Sequence, residues 1–371
     1  MSSTKKWMSS LTADFGAIAD SLPEPTDKVI NLASPSLNWS IGNGGLVEGK
    51  AICWYGPESG GKSLLMQLTL IQIQRQNPEA ICVLFDAEYS FNKAWFRKLG
   101  GDLLRLYVRQ TNDPLKIFDY ISGEMLEKIQ EGCPIKAIAI DSVKSIKYPK
   151  DVKKQSTDLT MGGGGASYLG SALKHVTPVI RENGITCLLV QQVYEEMDQY
   201  KKMRNPWIVP DGRALKHFCD YMAQVEKLET KENVIEIGEN IHGGAAQIGH
   251  KVRVKFKKNR VAAPYRTAQF TLNYDEGIVD TGNEIFDLAK SLGIIHHPVN
   301  PETGKENNQM WRFATQEAIR GEANMRNAVL ASKDLQDAIM AACNAADTDA
   351  VTSRNNSMDM SVDIDLDKLD D

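Results

Sequence analysis

None of the six cysteines belongs to a CxxC pair, and three lie inside apolar runs, which reads as buried thiols and excludes a zinc ribbon or a disulfide framework. A reducing compartment follows. No apolar stretch approaches the roughly 20 residues that span a bilayer, and the N-terminus alternates polar and apolar residues without the apolar centre of a signal peptide. A net positive charge is also missing: the formal net charge is -5, unlike that of a generally basic nucleic-acid coat. That deficit is local, however. From Asp347 to Asp371 eight aspartates face only Arg354 and Lys368, so the remaining chain is close to neutral and free to carry basic loops. The expectation is a soluble, cytoplasmic protein with no membrane partner.

A length of 371 residues suggests two or three units, and no long repeat divides them. Residues 1–30 read as an amphipathic helix (Trp7, Met8, Leu11, Phe15, Ile18, Leu22) ending at Pro23 to Pro25, too short to fold alone and so an oligomerisation arm. Within residues 31–282, strands are expected at Ala51 to Tyr55, Ile81 to Phe85, Leu104 to Val108, Ala137 to Ile140 and Thr186 to Val190. Helical patterns follow Lys62, surround Ala94 and start at Pro114 and Tyr168. This alternation predicts an α/β core with a mainly parallel sheet whose ligands sit at the carboxyl ends of the strands. Antiparallel strands are expected at Tyr221 to Leu228, Lys251 to Phe256 and Thr267 to Tyr274. A small unit with helices at both ends takes residues 283–346, and the aspartate-rich residues 347–371 are too poor in apolar side chains to fold.

The chemistry starts at Gly56-Pro57-Glu58-Ser59-Gly60-Gly61-Lys62-Ser63, which satisfies GxxxxGK[ST] between an apolar strand and a helix. The glycines let backbone amides turn toward phosphates, Lys62 supplies charge to the β and γ phosphates, and Ser63 can ligate Mg²⁺. Such a site needs a second magnesium contact. Asp141 ends the apolar run Ala137 to Ile140, and Ser142 beside it can read the phosphate. Of the two acids in Phe85-Asp86-Ala87-Glu88, Glu88 is the candidate general base that polarises the attacking water. An acid at a strand end is usually a helix cap; three such features beside one phosphate loop reverse that expectation.

The order of motifs resembles the bacterial RecA family of recombinases and, more loosely, the UvsX recombinases of T-even phages. The matching segments are the phosphate loop at 56, Asp-Ala-Glu at 86, Arg-Lys-Leu-Gly at 97, Ile-Asp-Ser-Val at 140, Ala-Leu-Lys at 214 and Lys-Asn-Arg-Val-Ala-Ala-Pro at 258. The resemblance implies a RecA-like ATPase core that uses ATP and Mg²⁺, with ATP held between neighbouring subunits of a helical filament. Trp95 matches an adenine-stacking aromatic, with Asn92 nearby; a core aromatic is the plainer reading. Lys258 and Arg260 match basic residues that reach across to the neighbour's γ phosphate, whereas a bare charge run would be solvated. Gln192 matches the amide that senses the γ phosphate and reports to a DNA-binding loop.

Two long polar stretches, 150–166 and 194–213, match the loops that line the filament axis and hold DNA. Met161, Gly162, Gly163, Trp207, Ile208 and Gly212 are the candidate backbone and wedge contacts, and Lys174 and Arg213 the candidate phosphate contacts. The chain departs from the family in the four glycines from Gly162 to Gly165 and in His217, where the family has phenylalanine. His296-His297 lacks a third metal ligand at suitable spacing and reads as a surface turn.

The expected function is an ATP-dependent recombinase that assembles on single-stranded DNA and pairs it with duplex, with a single-strand-binding protein and a loading mediator as further partners. The departures favour a phage-encoded protein working in its bacterial host's cytoplasm. Two rivals stand beside it: a helicase or translocase of the same ATPase fold, and a filament-forming DNA-binding protein with vestigial hydrolysis. The aspartate tail is expected to compete with DNA for the basic loops.

Overall fold

Side chains alternate across the buried strands: Ile52 and Trp54 enter one core, while Ala51, Cys53 and Tyr55 enter another on the opposite face. A sheet apolar on both faces must be covered twice, and in the computed structural model of the chain helices lie on each side. The structure describes residues 28–147, 164–204, 206–210, 212–230, 233–239, 245–299, 304–314 and 316–359. The amphipathic helix expected at the N-terminus, and Met161, Gly162 and Gly163 of the first loop, lie outside the described residues.

Two short strands, β1 (Val29–Ile30) and β2 (Leu46–Val47), pair antiparallel ahead of the central sheet. The parallel strands are β3 (Ala51–Gly56), β4 (Ile81–Asp86), β5 (Leu106–Gln110), β6 (Ile135–Asp141) and β7 (Thr186–Gln192). A small pair, β8 (Tyr194–Glu195) and β9 (Trp207–Ile208), precedes β10 (Tyr221–Lys227), β11 (Val234–Glu239), β12 (Ala245–Asn259), β13 (Thr267–Asn273) and β14 (Gly277–Val279). The order across the ten-stranded sheet is β14-β13-β12-β10-β3-β7-β6-β4-β5, with β11 paired to β12. From β10 to β5 all pairings are parallel; from β10 to β14 they are antiparallel.

Helix Lys62–Gln76 packs on one face through Leu64, Leu65, Met66 and Leu70. Helices Pro114–Ser122, Gly164–Glu182 and Gly212–Phe218 cover the other through Phe118, Leu173 and Leu215. A third core, around Phe286, Trp311 and Val329, joins helix Thr281–Ser291 to the small sheet β15 (Ile295–His296), β16 (Met310–Phe313) and β17 (Ile319–Arg320).

Several boundaries move from those expected. The strand placed at Leu104 to Val108 begins at Leu106, because Asp102 accepts from the Leu104 amide at 2.9 Å and folds Leu103–Arg105 into a short 3₁₀ turn. Strand β11 and helix Gln199–Arg204 were not anticipated; the latter lies in the second of the two long polar stretches. Helix Lys333–Asp359 runs into the segment expected to be unfolded from residue 347. The helix contains neither Gly nor Pro, the two strongest helix breakers. His297 stacks on Trp311 at 4.0 Å between centroids, and no metal-ligating cluster occurs among the described residues. None of their helices is long and apolar enough to cross a membrane.

Candidate functional site

Four strands end side by side, and the ladder registers their last residues: Gly56 pairs with Gln192, and Asp86 with Asp141. These residues and the segments that follow them form the site. At Gly56 an added Cβ would fall 2.0 Å from the Val225 carbonyl oxygen, so only glycine lets the loop lie against β10. Gly61 takes φ 93° and caps helix Lys62–Gln76 without a side-chain acceptor, which leaves first-turn amides to an incoming anion. Lys62 is buried and donates to the Pro57 carbonyl oxygen. Burial holds its ammonium below the usual lysine range, against the pull of Asp141, Glu88 and Glu58.

Asp141 is buried at the end of β6 and accepts from Ser63. Burial raises its carboxyl to about 6, with Glu88 and Asp86 adding to the effect and Ser63 and Lys62 opposing it. Its Oδ1 is buried and has no hydrogen-bond partner. A carboxylate with one free oxygen, set beside the Ser63 hydroxyl, is a donor set suited to a hard divalent cation. The residues therefore fit Mg²⁺ at Ser63 and Asp141, and phosphates along Gly56, Pro57, Glu58, Ser59, Gly60, Gly61 and Lys62.

The two acids at the end of β4 and just beyond it, Asp86 and Glu88, divide their roles. Asp86 accepts from the Ser90 amide at 3.1 Å, the Phe91 amide at 3.0 Å and the Gln110 side chain at 3.0 Å, and so shapes the turn. Glu88 instead points at the ends of β6 and β7. Its Oε1 accepts from Ser142 Oγ, from Gln192 Nε2 at 3.0 Å and from Ser145 Oγ at 3.3 Å. The backbone amides of Ala87 and Glu88 both donate to the Asp141 carbonyl oxygen, at 2.7 and 3.2 Å, which locks the two segments together. Gln192 in turn accepts from Lys144 Nζ at 3.0 Å. The sequence reading missed Lys144 and Ser145, which belong to no phosphate-loop motif.

Asn92 and Trp95 lie in the segment that follows the Asp86 turn. Asn92 caps helix Lys93–Lys98, accepting from the Ala94 and Trp95 amides at 2.9 and 3.1 Å. Trp95 is half-buried against the core, and its indole N–H donates to the Tyr274 carbonyl oxygen at 2.7 Å. Both thus have structural work within the chain. Lys258 and Arg260 are not at this site. Register places Lys258 beside Met222, itself level with Cys53, so Lys258 stands about 10 Å back along the strand from Gly56, toward the other end of the sheet. There Lys258 donates to the carbonyl oxygens of Lys216 and Cys219 (2.6 Å to the latter), and Arg260 lies 3.5 Å from Asp220.

Trp207, Ile208, Gly212 and Arg213 line a cleft of about 1030 Å³ together with Lys258 and Arg260. Lys174 lines an adjoining cleft with Arg213 and Arg260. The structure thus gathers the second loop's candidates and the two strand-end cations on one face. Trp207 donates its indole N–H to Glu226 at 3.3 Å, whereas Met197, Tyr200 and Met203 are at least 87% exposed.

A model of the RecA N-terminal domain matches residues 16–279. Among curated proteins, one named Protein RecA from Chlorobaculum tepidum is 28% identical over 316 residues, which cover 84% of this chain and 82% of that protein. Protein RecA from Heliobacterium modesticaldum is 30% identical over 268 residues, covering 72% and 71%. Protein RecA from Bifidobacterium longum is 29% identical over 273 residues, and the match spans 64% of its length.

Proposed function

This chain belongs to the RecA family, and from that premise we propose that it is a DNA-dependent ATPase that forms filaments on single-stranded DNA and catalyses homologous pairing and strand exchange. The observation that carries this reading is the position of Gln192. Its amide is bonded to Glu88, and two residues later the same chain enters the 194–213 stretch with its exposed aromatic and methionine side chains. A hydrolytic centre and a surface suited to unstacked bases thus meet in one strand end.

Mg²⁺ bound with ATP would neutralise charge developing on the phosphates, held by Ser63 and Asp141. Lys62 and the loop amides orient the phosphates. Glu88 takes a proton from the attacking water, and the three donors on its Oε1 hold the carboxylate in place. Lys258 and Arg260, at the far end of the sheet, supply cations to the site of an adjacent subunit rather than to their own. Partners then follow from the chemistry: single-stranded and duplex DNA, further copies of the chain, and proteins that bind or load single strands.

The test is ATP hydrolysis with and without single-stranded DNA, paired with strand exchange on homologous and heterologous duplexes. DNA-stimulated turnover with homology-dependent product is expected. Stimulation without homology dependence, with unwinding of a forked duplex, would identify a helicase or translocase instead.

A further inference from the structure

We propose that Lys144 is a positioning residue that couples the Gln192 amide to the 194–213 loop through the ring of Tyr194, an inference that rests on the function proposed above. Lys144 lies in the 3₁₀ turn Val143–Ser145, directly after the Asp141 strand end. Its ammonium stands 3.0 Å from Gln192 Oε1 and 4.4 Å from the centroid of the Tyr194 ring. Both contacts use the same charge, one as a hydrogen-bond donor and one against a π face.

The arrangement fixes which way the amide of Gln192 points. An amide has a donor end and an acceptor end, and rotation by half a turn exchanges them. With Glu88 on one side and Lys144 on the other, only one orientation pairs NH₂ with the carboxylate and C=O with the ammonium. A neutral side chain at 144 would leave the carbonyl unpaired and remove that preference.

Tyr194 extends the connection. It opens β8 and pairs with Ile208 of β9, while Glu195 pairs with Trp207. The sequence of contacts therefore runs from Glu88 through Gln192 and Lys144 to Tyr194, and from there to two side chains expected to touch DNA. When an anionic phosphate competes with Glu88 for the Gln192 NH₂, the amide must shift, and Lys144 shifts with the carbonyl it donates to. Tyr194 follows its cation, and the β8–β9 pair moves as a unit. Differential contact of this kind is what a ligand needs to bias two conformations.

The experiment compares single-stranded DNA affinity in ADP and in a non-hydrolysable ATP analogue, read as the ratio of the two dissociation constants. In Lys144→Met and Tyr194→Leu that ratio should fall toward one by about 5-fold or more, the lower range of ordinary coupling between sites. Lys144→Arg and Tyr194→Phe, which keep the cation and the ring, should retain it. In Tyr194→Leu, which leaves the nucleotide site untouched, analogue affinity without DNA and the melting temperature should stay at the wild-type values, whereas general damage to the site would alter both. Tyr194 is 52% exposed, so its variants report even if Lys144→Met folds poorly. An unchanged ratio in folded Lys144→Met and Tyr194→Leu overturns the coupling role while leaving the ATPase reading intact. A wild-type ratio near one overturns the coupling role and with it nucleotide control of DNA binding, whereas loss of DNA-stimulated turnover is what overturns the ATPase reading.

Discussion

Gln192 donates its side-chain amide to Glu88 across 3.0 Å, although 104 residues separate them in the chain. The pairing gives Glu88 a fixed direction before any water is activated. Glu88→Gln should therefore keep nucleotide binding while phosphate release falls by about 10²- to 10⁴-fold, the usual contribution of a positioned acid–base group. Equilibrium binding of a fluorescent nucleotide and a phosphate-release assay on the same preparation check the two halves. Loss of binding along with turnover would assign Glu88 to the architecture of the site.

Asp141 links the site to pH. Its carboxyl is raised to about 6 from an ordinary 3.8, chiefly by burial, so the folded chain takes up this proton more readily than the unfolded chain. The ion-free protein consequently bears a penalty of about 3 kcal/mol above pH about 6, which fades as pH falls from about 6 to about 4. Asp141→Asn should raise the melting temperature at pH about 8, and the advantage should shrink toward pH about 4. The same variant should lose Mg²⁺-dependent hydrolysis. In the wild type, Mg²⁺ affinity should weaken below pH about 6, because the cation needs the ionised carboxylate.

Glu284 holds the start of helix Pro35–Ile41, accepting from the Ser34 hydroxyl and, at 2.6 Å, from the Ser36 amide. Its carboxyl is raised to about 7 by burial, against those hydrogen bonds. Glu284→Ala leaves both donors without their acceptor and should destabilise by about 1–3 kcal/mol. The sign with pH is the same as for Asp141→Asn: each variant loses ground on the wild type as pH falls. Burying the wild-type carboxyl costs less as pH falls from about 7 toward about 4.5, so the alanine variant should lag further behind at pH about 5 than at pH about 8. Thermal melts at the two pH values decide it.

Glycine at 56 is required by packing. Gly56→Ala puts a carbon 2.0 Å from the Val225 carbonyl oxygen, and the neighbouring carbonyl carbon stands at 3.1 Å, so no flexible side chain can yield. A loss above about 3 kcal/mol, or failure to bind nucleotide, is expected. Gly170→Ala is the control: there the added carbon meets only Ala214 Cβ at 3.8 Å, within a helix that alanine favours.

Much of this site was legible because its chemistry is local in sequence. The phosphate loop occupies eight consecutive residues, and Asp141 and Glu88 follow apolar strands that announce themselves by composition. What was not legible depends on contacts across the chain. Lys144 looks like any solvated lysine until Gln192, 48 residues later, is seen beside it. Glu284 meets Ser34 across 250 residues, and no periodicity reports such a contact. Trp95 and Asn92 could be placed near a nucleotide by resemblance, yet the helix cap and the bond to Tyr274 emerge only from the fold. The extension of the last helix to Asp359 shows the converse, since low apolar content argued against folding while an unbroken run of helix-compatible residues allowed it.

The register of β12 against β10 and β3 sets the phosphate loop and Lys258 toward opposite ends of one sheet. In the proposed filament, copies joined so that one chain's cations serve the next chain's loop stack head to tail, and a head-to-tail polymer whose rotation does not close is directional. Its two tips then differ: one displays an unserved phosphate loop, the other a pair of cations with no phosphate to meet. Mixing Glu88→Gln protein with a Lys258→Ala, Arg260→Ala double variant, each idle alone, should restore hydrolysis, because some junctions draw an intact half from each. If the site is completed by the neighbouring chain as proposed, turnover per chain should rise with polymer length and vanish on dilution to monomers. Growth and decay at the two tips need not proceed at the same rate, so the strand register of a single subunit can give the whole polymer a direction of travel.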